Sequence, residues 1–180
     1  MQRLANLTVC SLIIGAAVLH GIATASDTAA PEGPSDMFES TLLDQHNAER
    51  LAKDLPVLFW DTALEIQARE WAVRLANDGA IHHSAYEARN TAGENIWAGS
   101  AGQFKAEDMM RTFLEERRYF HAGKFPYVTT TGRWQDVGHY TQIIWASTQR
   151  VGCAIETGDT LDFLVCRYWP SGNMAGVYVG

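Results

Sequence analysis

Val151-Gly152-Cys153-Ala154-Ile155-Glu156-Thr157-Gly158-Asp159-Thr160-Leu161-Asp162-Phe163-Leu164-Val165-Cys166-Arg167-Tyr168 is the stretch that decides the fold. Two runs rich in β-branched and aromatic residues, 151–157 and 162–168, flank a Gly158-Asp159-Thr160 turn, which is the pattern of a β-hairpin. If Thr157 faces Asp162, the antiparallel register sets Cys153 directly opposite Cys166. Facing residues have Cα atoms roughly 4.5–5.5 Å apart, a span that a disulfide bridges. A two-thiol metal site is the weaker alternative, because no C-x-x-C spacing exists.

Upstream of the hairpin the periodicity changes from two to 3.6. Asp61 caps a helix whose Leu64, Ala68, Trp71, Ala72 and Leu75 form one stripe, and Gly79 ends it in the position where a left-handed residue is preferred. A first helix is predicted over 36–53, with Phe38, Leu42, His46 and Leu51 inward, stopped by Leu55-Pro56. Val57–Trp60 reads as a short extended segment and Glu94–Ala98 as a strand between glycines. A third helix is predicted over 105–120, burying Ala106, Met109, Met110, Phe113 and Leu114. A short helix is expected from Gly138, with His139, Tyr140, Ile143 and Ile144 at helical spacing. Helices interleaved with short strands give an α+β class: a three-layer α-β-α sandwich around a small, mainly antiparallel sheet.

The N-terminal end points to export. Arg3 precedes an apolar run, Leu12–Leu19, and Ala23-Thr24-Ala25 offers small residues where a signal peptidase cuts, so residues 1–25 read as a signal peptide. The run is too short for a permanent membrane span, and nothing later is longer. Residues 26–35, with two prolines, read as a flexible leader, and 36–180 as one domain. Cleavage after Ala25 leaves 155 residues (180 less 25) and removes the single charge of Arg3, so the net charge moves from −7 to −8. Cys10 departs with that segment; Cys153 and Cys166 remain, an even pair suited to an oxidising compartment. An acidic balance with no basic stripe excludes nucleic acid as a partner class.

The familiar catalytic signatures G-x-S-x-G, H-E-x-x-H, G-x-G-x-x-G and the Walker loop are absent. What remains is a set of histidines and acids: His82, His83, Glu94, Glu115, Glu116, His121 and His139. Gly138-His139-Tyr140-Thr141-Gln142-Ile143-Ile144-Trp145 resembles the G-H-[FY]-T-Q-x-x-W signature of the CAP superfamily, which holds cysteine-rich secretory proteins, antigen 5 and plant pathogenesis-related class 1 proteins. Cys166-Arg167-Tyr168-Trp169-Pro170-Ser171-Gly172-Asn173 resembles its C-x-Y-x-P-x-G-N block, His46-Asn47-x-x-Arg50 its H-N-x-x-R, and Gly93-Glu94-Asn95 its G-E-N. Four blocks stand in family order across about residues 40–176. Two departures are Phe113, where the family usually has tryptophan, and the absence of the plant proteins' additional cysteines.

The resemblance implies a sandwich with a large central cleft, where two histidines and two acids converge and hold a divalent cation such as Zn²⁺. Matched position by position, these are His83, His139, Glu94 and Glu116, with His82 and Glu115 as adjacent alternatives. Neutral imidazoles suit Zn²⁺, and carboxylates orient imidazoles or activate water. The bland readings are a helix-capping His139, a turn-bound Glu94 and a solvated Glu115-Glu116-Arg117-Arg118 face. His46-Asn47 reads as scaffold.

Three functions follow. One is a secreted, monomeric binding or signalling module that takes a lipid, sterol, peptide or extracellular protein, with the aromatic loop Phe120–Tyr127 as an apolar surface. The second is a metal-dependent hydrolase, protease or esterase, with Glu94 or Glu116 as general base. The third, a precursor of a C-terminal peptide, ranks last because Trp169 stands where such relatives have aspartate. The first is the expected one, in the extracellular space or, for a Gram-negative source, the periplasm.

Overall fold

The computed structural model describes residues 36–180, so the expected signal peptide and leader lie outside the described residues. Helix α1 (Met37–Leu51) begins where Asp36, in extended conformation, accepts the Glu39 amide. Its inward row is Leu42, His46 and Arg50, one per turn. Leu51, predicted inward, is exposed, because the next residue in a helix turns about 100° away from Arg50. Strand β1 (Phe59–Trp60) leads to α2 (Thr62–Asp78), capped by Asp61 and closed by Gly79 at φ 64°.

Strands β2 (Gly93–Ser100), β4 (Arg150–Thr157) and β5 (Leu161–Trp169) carry the main sheet, ordered β1-β4-β5-β2. Only β1 runs parallel to its neighbour; β4–β5 and β2–β5 are antiparallel. Thr157 faces Asp162 and Cys153 faces Cys166, the register expected from the sequence. The two cysteines are joined, with Cα atoms 4.1 Å apart. A separate ribbon pairs β3 (Gly123–Lys124) with β6 (Tyr178–Val179).

Both sheet faces are covered, so alternation along β5 sorts its side chains between two cores. Phe163 and Val165 meet Ala68, Ala72 and Leu75 of α2. Leu164, Cys166 and Tyr168 meet Leu42 of α1 and the other helices, α3 (Ala106–Leu114) and α4 (Gly138–Ile143). This is the α-β-α sandwich of the expected α+β class. Helix α2 lies so close that a Cβ on Gly152 would stand 2.3 Å from the Glu65 amide nitrogen.

One predicted boundary is wrong. The third helix, expected to reach 120, stops at Leu114 and continues as a tighter 3-10 turn, Glu115–Tyr119. Residues 115–118 are four consecutive charges, so no apolar stripe holds them to the core as an α-helix.

The disulfide supports one prediction. Replacing both cysteines by alanine frees a loop of 13-residue separation, which lowers stability by about 3 kcal/mol in the chain-entropy model and the melting temperature by roughly 10 °C. Thermal unfolding of the double variant checks this; an unchanged midpoint contradicts it.

Candidate functional site

Two histidine–carboxylate pairs flank one cleft, each assembled from separate elements. His83, on the loop after α2, donates Nδ1–H to Glu94 Oε1 of β2 at 2.6 Å. His139, in the first turn of α4, donates Nδ1–H to Glu116 Oε1 at 2.6 Å. Glu116 projects from the 3-10 turn, and its Oε2 also accepts the amides of His139 and Tyr140, both at 3.0 Å. The tight turn after α3 thus supplies the cap that α4 lacks within its own segment. Because an ionised carboxylate only accepts, each Nδ1 carries a proton, and it is the Nε2 of the neutral ring that offers a lone pair.

Glu94 is the more constrained acid. Its side chain is 0% exposed. It accepts from the Ser84 amide at 3.1 Å, Ser84 Oγ at 2.9 Å and Arg89 Nη1 at 3.2 Å, besides His83. Arg167 Nη1 forms a further ion pair with Oε2, across the sheet register that sets Glu94 beside Arg167. Burial alone would push this carboxyl up, but the His83, Arg167 and Ser84 donors outweigh it and hold it below the ordinary range. His83 itself is 62% exposed, facing the opening.

The cleft has a volume of about 620 Å³. His83, Glu94 and His139 line it together with Ser84, Asn95 and Gln142. Glu116 stands behind His139, whose other face stacks on Phe113 with ring centroids 4.5 Å apart. Asn95 Nδ2 donates to the His139 carbonyl at 3.1 Å and ties α4 to β2. Gly93 leaves room for Gln142: a Cβ there would sit 2.1 Å from its Oε1.

The alternatives fall elsewhere. His82 points to Asp78 at 3.2 Å and shields Trp71. Glu115 pairs loosely with Arg111 on the surface at 3.9 Å, and His121 is exposed against the Ala122 carbonyl. Among the described residues no group of three or more His, Cys, Asp or Glu side chains is arranged to hold a metal ion. The carboxylates engage Nδ1 of each imidazole, so Nε2 is the nitrogen that each ring has left for a cation. Arg89 and Arg167 were not singled out from the sequence. The available signal was a charge inside the apolar run of β5, which demands a buried carboxylate partner.

Residues 43–168 match the model of the CAP cysteine-rich secretory protein family. The chain belongs to that family. The pathogenesis-related protein PRMS of Zea mays is 32% identical over 90% of this chain and 94% of its own. GLIPR1-like protein 1 of Bos taurus is 31% identical over 84% of this chain and 66% of its own. Among solved structures, NaASP2 with Zn²⁺ superposes with a TM-score of 0.64 at 25% identity, covering 81% of this chain and 87% of that one. The CAP domain therefore accounts for the sandwich and for all four sequence blocks. No helix among the described residues is long and apolar enough to cross a membrane.

Proposed function

We propose that this CAP protein is an extracellular binding module of the defence type, whose cleft takes an oxygen-bearing ligand through a divalent cation held by His83 and His139. The observation that carries the reading is the matched pair of Nδ1–carboxylate bonds, which turns two Nε2 lone pairs into metal donors, the arrangement that second-shell carboxylates provide in zinc sites. The relative solved with Zn²⁺ and the pathogenesis-related relatives support it. A cation there supplies an electrophilic anchor for a carbonyl or carboxylate oxygen.

The same geometry favours binding over hydrolysis. Glu94 takes donors from His83, the Ser84 amide and hydroxyl, Arg89 and Arg167, which fills its acceptor sites and leaves none to take a proton from water, and Glu116 is held by His139 and two backbone amides. Ser84, Asn95 and Gln142 add polar groups to a lining that also includes Tyr86 and Trp134. That favours a ligand with both apolar and polar parts, such as a peptide, and the exposed Tyr127 and Tyr178 offer a lipid a further surface. The segment 1–25 supports export of the mature chain.

Calorimetric titration with Zn²⁺ tests the proposal. The wild type takes up about one equivalent, and His83→Ala and His139→Ala each weaken uptake at least tenfold. Glu116→Gln loses about 10- to 100-fold, the usual effect of removing an outer-shell carboxylate. Absence of saturable uptake by the wild type, or wild-type uptake by both histidine variants, removes the cation from the account.

A further inference from the structure

Strand β2 closes the main sheet: β5 pairs with one of its sides, and among the described residues no strand pairs with the other. The phase of the ladder identifies the groups left over. Ala101 N–H donates to the Thr160 carbonyl at 3.0 Å, one step beyond the Ser100–Leu161 pair. Bonded and non-bonded pairs alternate in an antiparallel ladder, so Asn95, Trp97 and Gly99 turn their main-chain groups to β5. Glu94, Ile96 and Ala98 turn theirs outward, and among the described residues no main-chain partner meets them there. The Ser100 carbonyl, next in the outward row, is taken by the Gln103 amide at 3.2 Å, which ends the free stretch.

The edge is open and unguarded. Glu94 is half-buried although its side chain is 0% exposed, so what it shows to the cleft is main chain. Ala98 is half-buried as well. Exposed edges are ordinarily blunted by lysine, proline or a bulge. Gly93–Ser100 contains neither residue, runs in unbroken register with β5, and spends its one charge, Glu94, on His83, Arg89 and Arg167. Phe104, 43% exposed, lies against Trp97 with ring centroids 5.1 Å apart and offers an apolar neighbour to a side chain of an added strand. Outward donor–acceptor pairs that recur every two residues, about 6.8 Å apart, match one kind of molecule, an extended polypeptide. A second copy of the domain is the poorer fit, because three paired residues fall far short of the roughly 1,200 Å² that a stable interface buries.

We propose that a peptide docks on this edge in extended conformation and continues the sheet beyond β2, its chain leading into the His83–His139 cleft. The proposal rests on the reading of that cleft as a peptide site and names the main-chain groups that hold the peptide beside it. Amide hydrogen exchange of the free protein gives the first test: Ile96 and Ala98 exchange at least about tenfold faster than Asn95 and Trp97. Heptapeptides selected on the protein from a random displayed library supply the ligand, with a Kd on the order of 100 µM or tighter. Bound peptide slows exchange at Ile96 and Ala98. N-methylation of alternate peptide amides weakens binding at least about tenfold, and N-methylation of the intervening ones does not. Ala98→Pro, which removes an outward N–H that β5 does not use, folds by its NMR spectrum and loses peptide affinity at least about tenfold. Equal protection of all four amides in the free protein, or selected peptides that tolerate N-methylation everywhere and shift only cleft residues, overturns the edge and leaves the cleft reading in place. Absence of any saturable peptide, with Ile96 and Ala98 still exchanging fast, overturns the edge and the peptide reading of the cleft together. Protection at Ile96 and Ala98 that rises with protein concentration alone assigns the edge to a second copy and overturns the peptide.

Discussion

Arg50→Ala lowers the stability of the domain by at least about 4 kcal/mol, placing it among the most damaging single changes available to this chain. Arg50 is 0% exposed. Its guanidinium donates to the carbonyls of Pro56 at 2.7 Å, Ile143 at 2.8 Å, Trp145 at 2.9 Å and Thr148 at 3.0 Å. Burial lowers its pKa only to about 10, so it stays charged at neutral pH. Its removal leaves the buried Ile143 and Thr148 carbonyls without this donor, takes one of two donors from Trp145, and releases the segment that joins α4 to β4. Thermal unfolding should show a midpoint lowered by more than about 10 °C for a domain of this size. Arg50→Lys recovers less than half of that loss, because one ammonium cannot span four acceptors set around a planar fork. A shift of only a few degrees for Arg50→Ala contradicts this account.

The second large effect is a loss of stability in mild acid that traces to His46. Its Nδ1–H donates to the Leu42 carbonyl at 2.7 Å, so Nε2 accepts from Tyr168 O–H at 2.8 Å. Tyr168 in turn accepts from Asn95 Nδ2 at 3.1 Å, and the same amide group holds the His139 carbonyl. Burial, reinforced by nearby Arg50 and opposed by the Leu42 bond, lowers the pKa of His46 from 6.5 to about 4. The unfolded chain therefore takes up the proton first as pH falls. Stability drops between pH 6.5 and about 4 and levels below that, a total of about 3 kcal/mol. Glu94, whose pKa is also depressed, adds its loss at lower pH, once carboxyls begin to protonate below about 4.3. Denaturant unfolding at stepped pH measures this, and His46→Gln should flatten the upper window alone. An unchanged slope in that variant would assign the effect elsewhere.

These two residues also mark the border of what the sequence made legible. The hairpin was readable because β4 and β5 are apolar on both faces and their turn is short, so one pairing fixed Cys153 opposite Cys166. Helix α2 was readable because Asp61 and Gly79 punctuate both ends. The end of α3 was not, because Glu115-Glu116-Arg117-Arg118 has the propensity of a helix but nothing apolar to dock it. Inward Arg50 was masked by Leu51, since hydrophobicity rather than rotation decided that reading.

At the site, the family blocks pointed to His83, Glu94, Glu116 and His139, but their partnership was hidden in three dimensions. Glu116 meets His139 across 23 residues, and only the 3-10 turn aims it at the α4 amides. Arg167 meets Glu94 through strand register, a relation that becomes visible only once β2 is known to pair with β5. Spacing along the chain carries no record of either encounter.

Nitrogen-15 NMR of the two imidazoles, with and without one equivalent of Zn²⁺, addresses the central claim most directly. The account predicts protons on Nδ1 of His83 and of His139 before metal is added, and a metal-induced shift at both Nε2 nitrogens with both Nδ1 protons retained. A shift at one ring only, or displacement of the Nδ1 protons from Glu94 and Glu116, would contradict it.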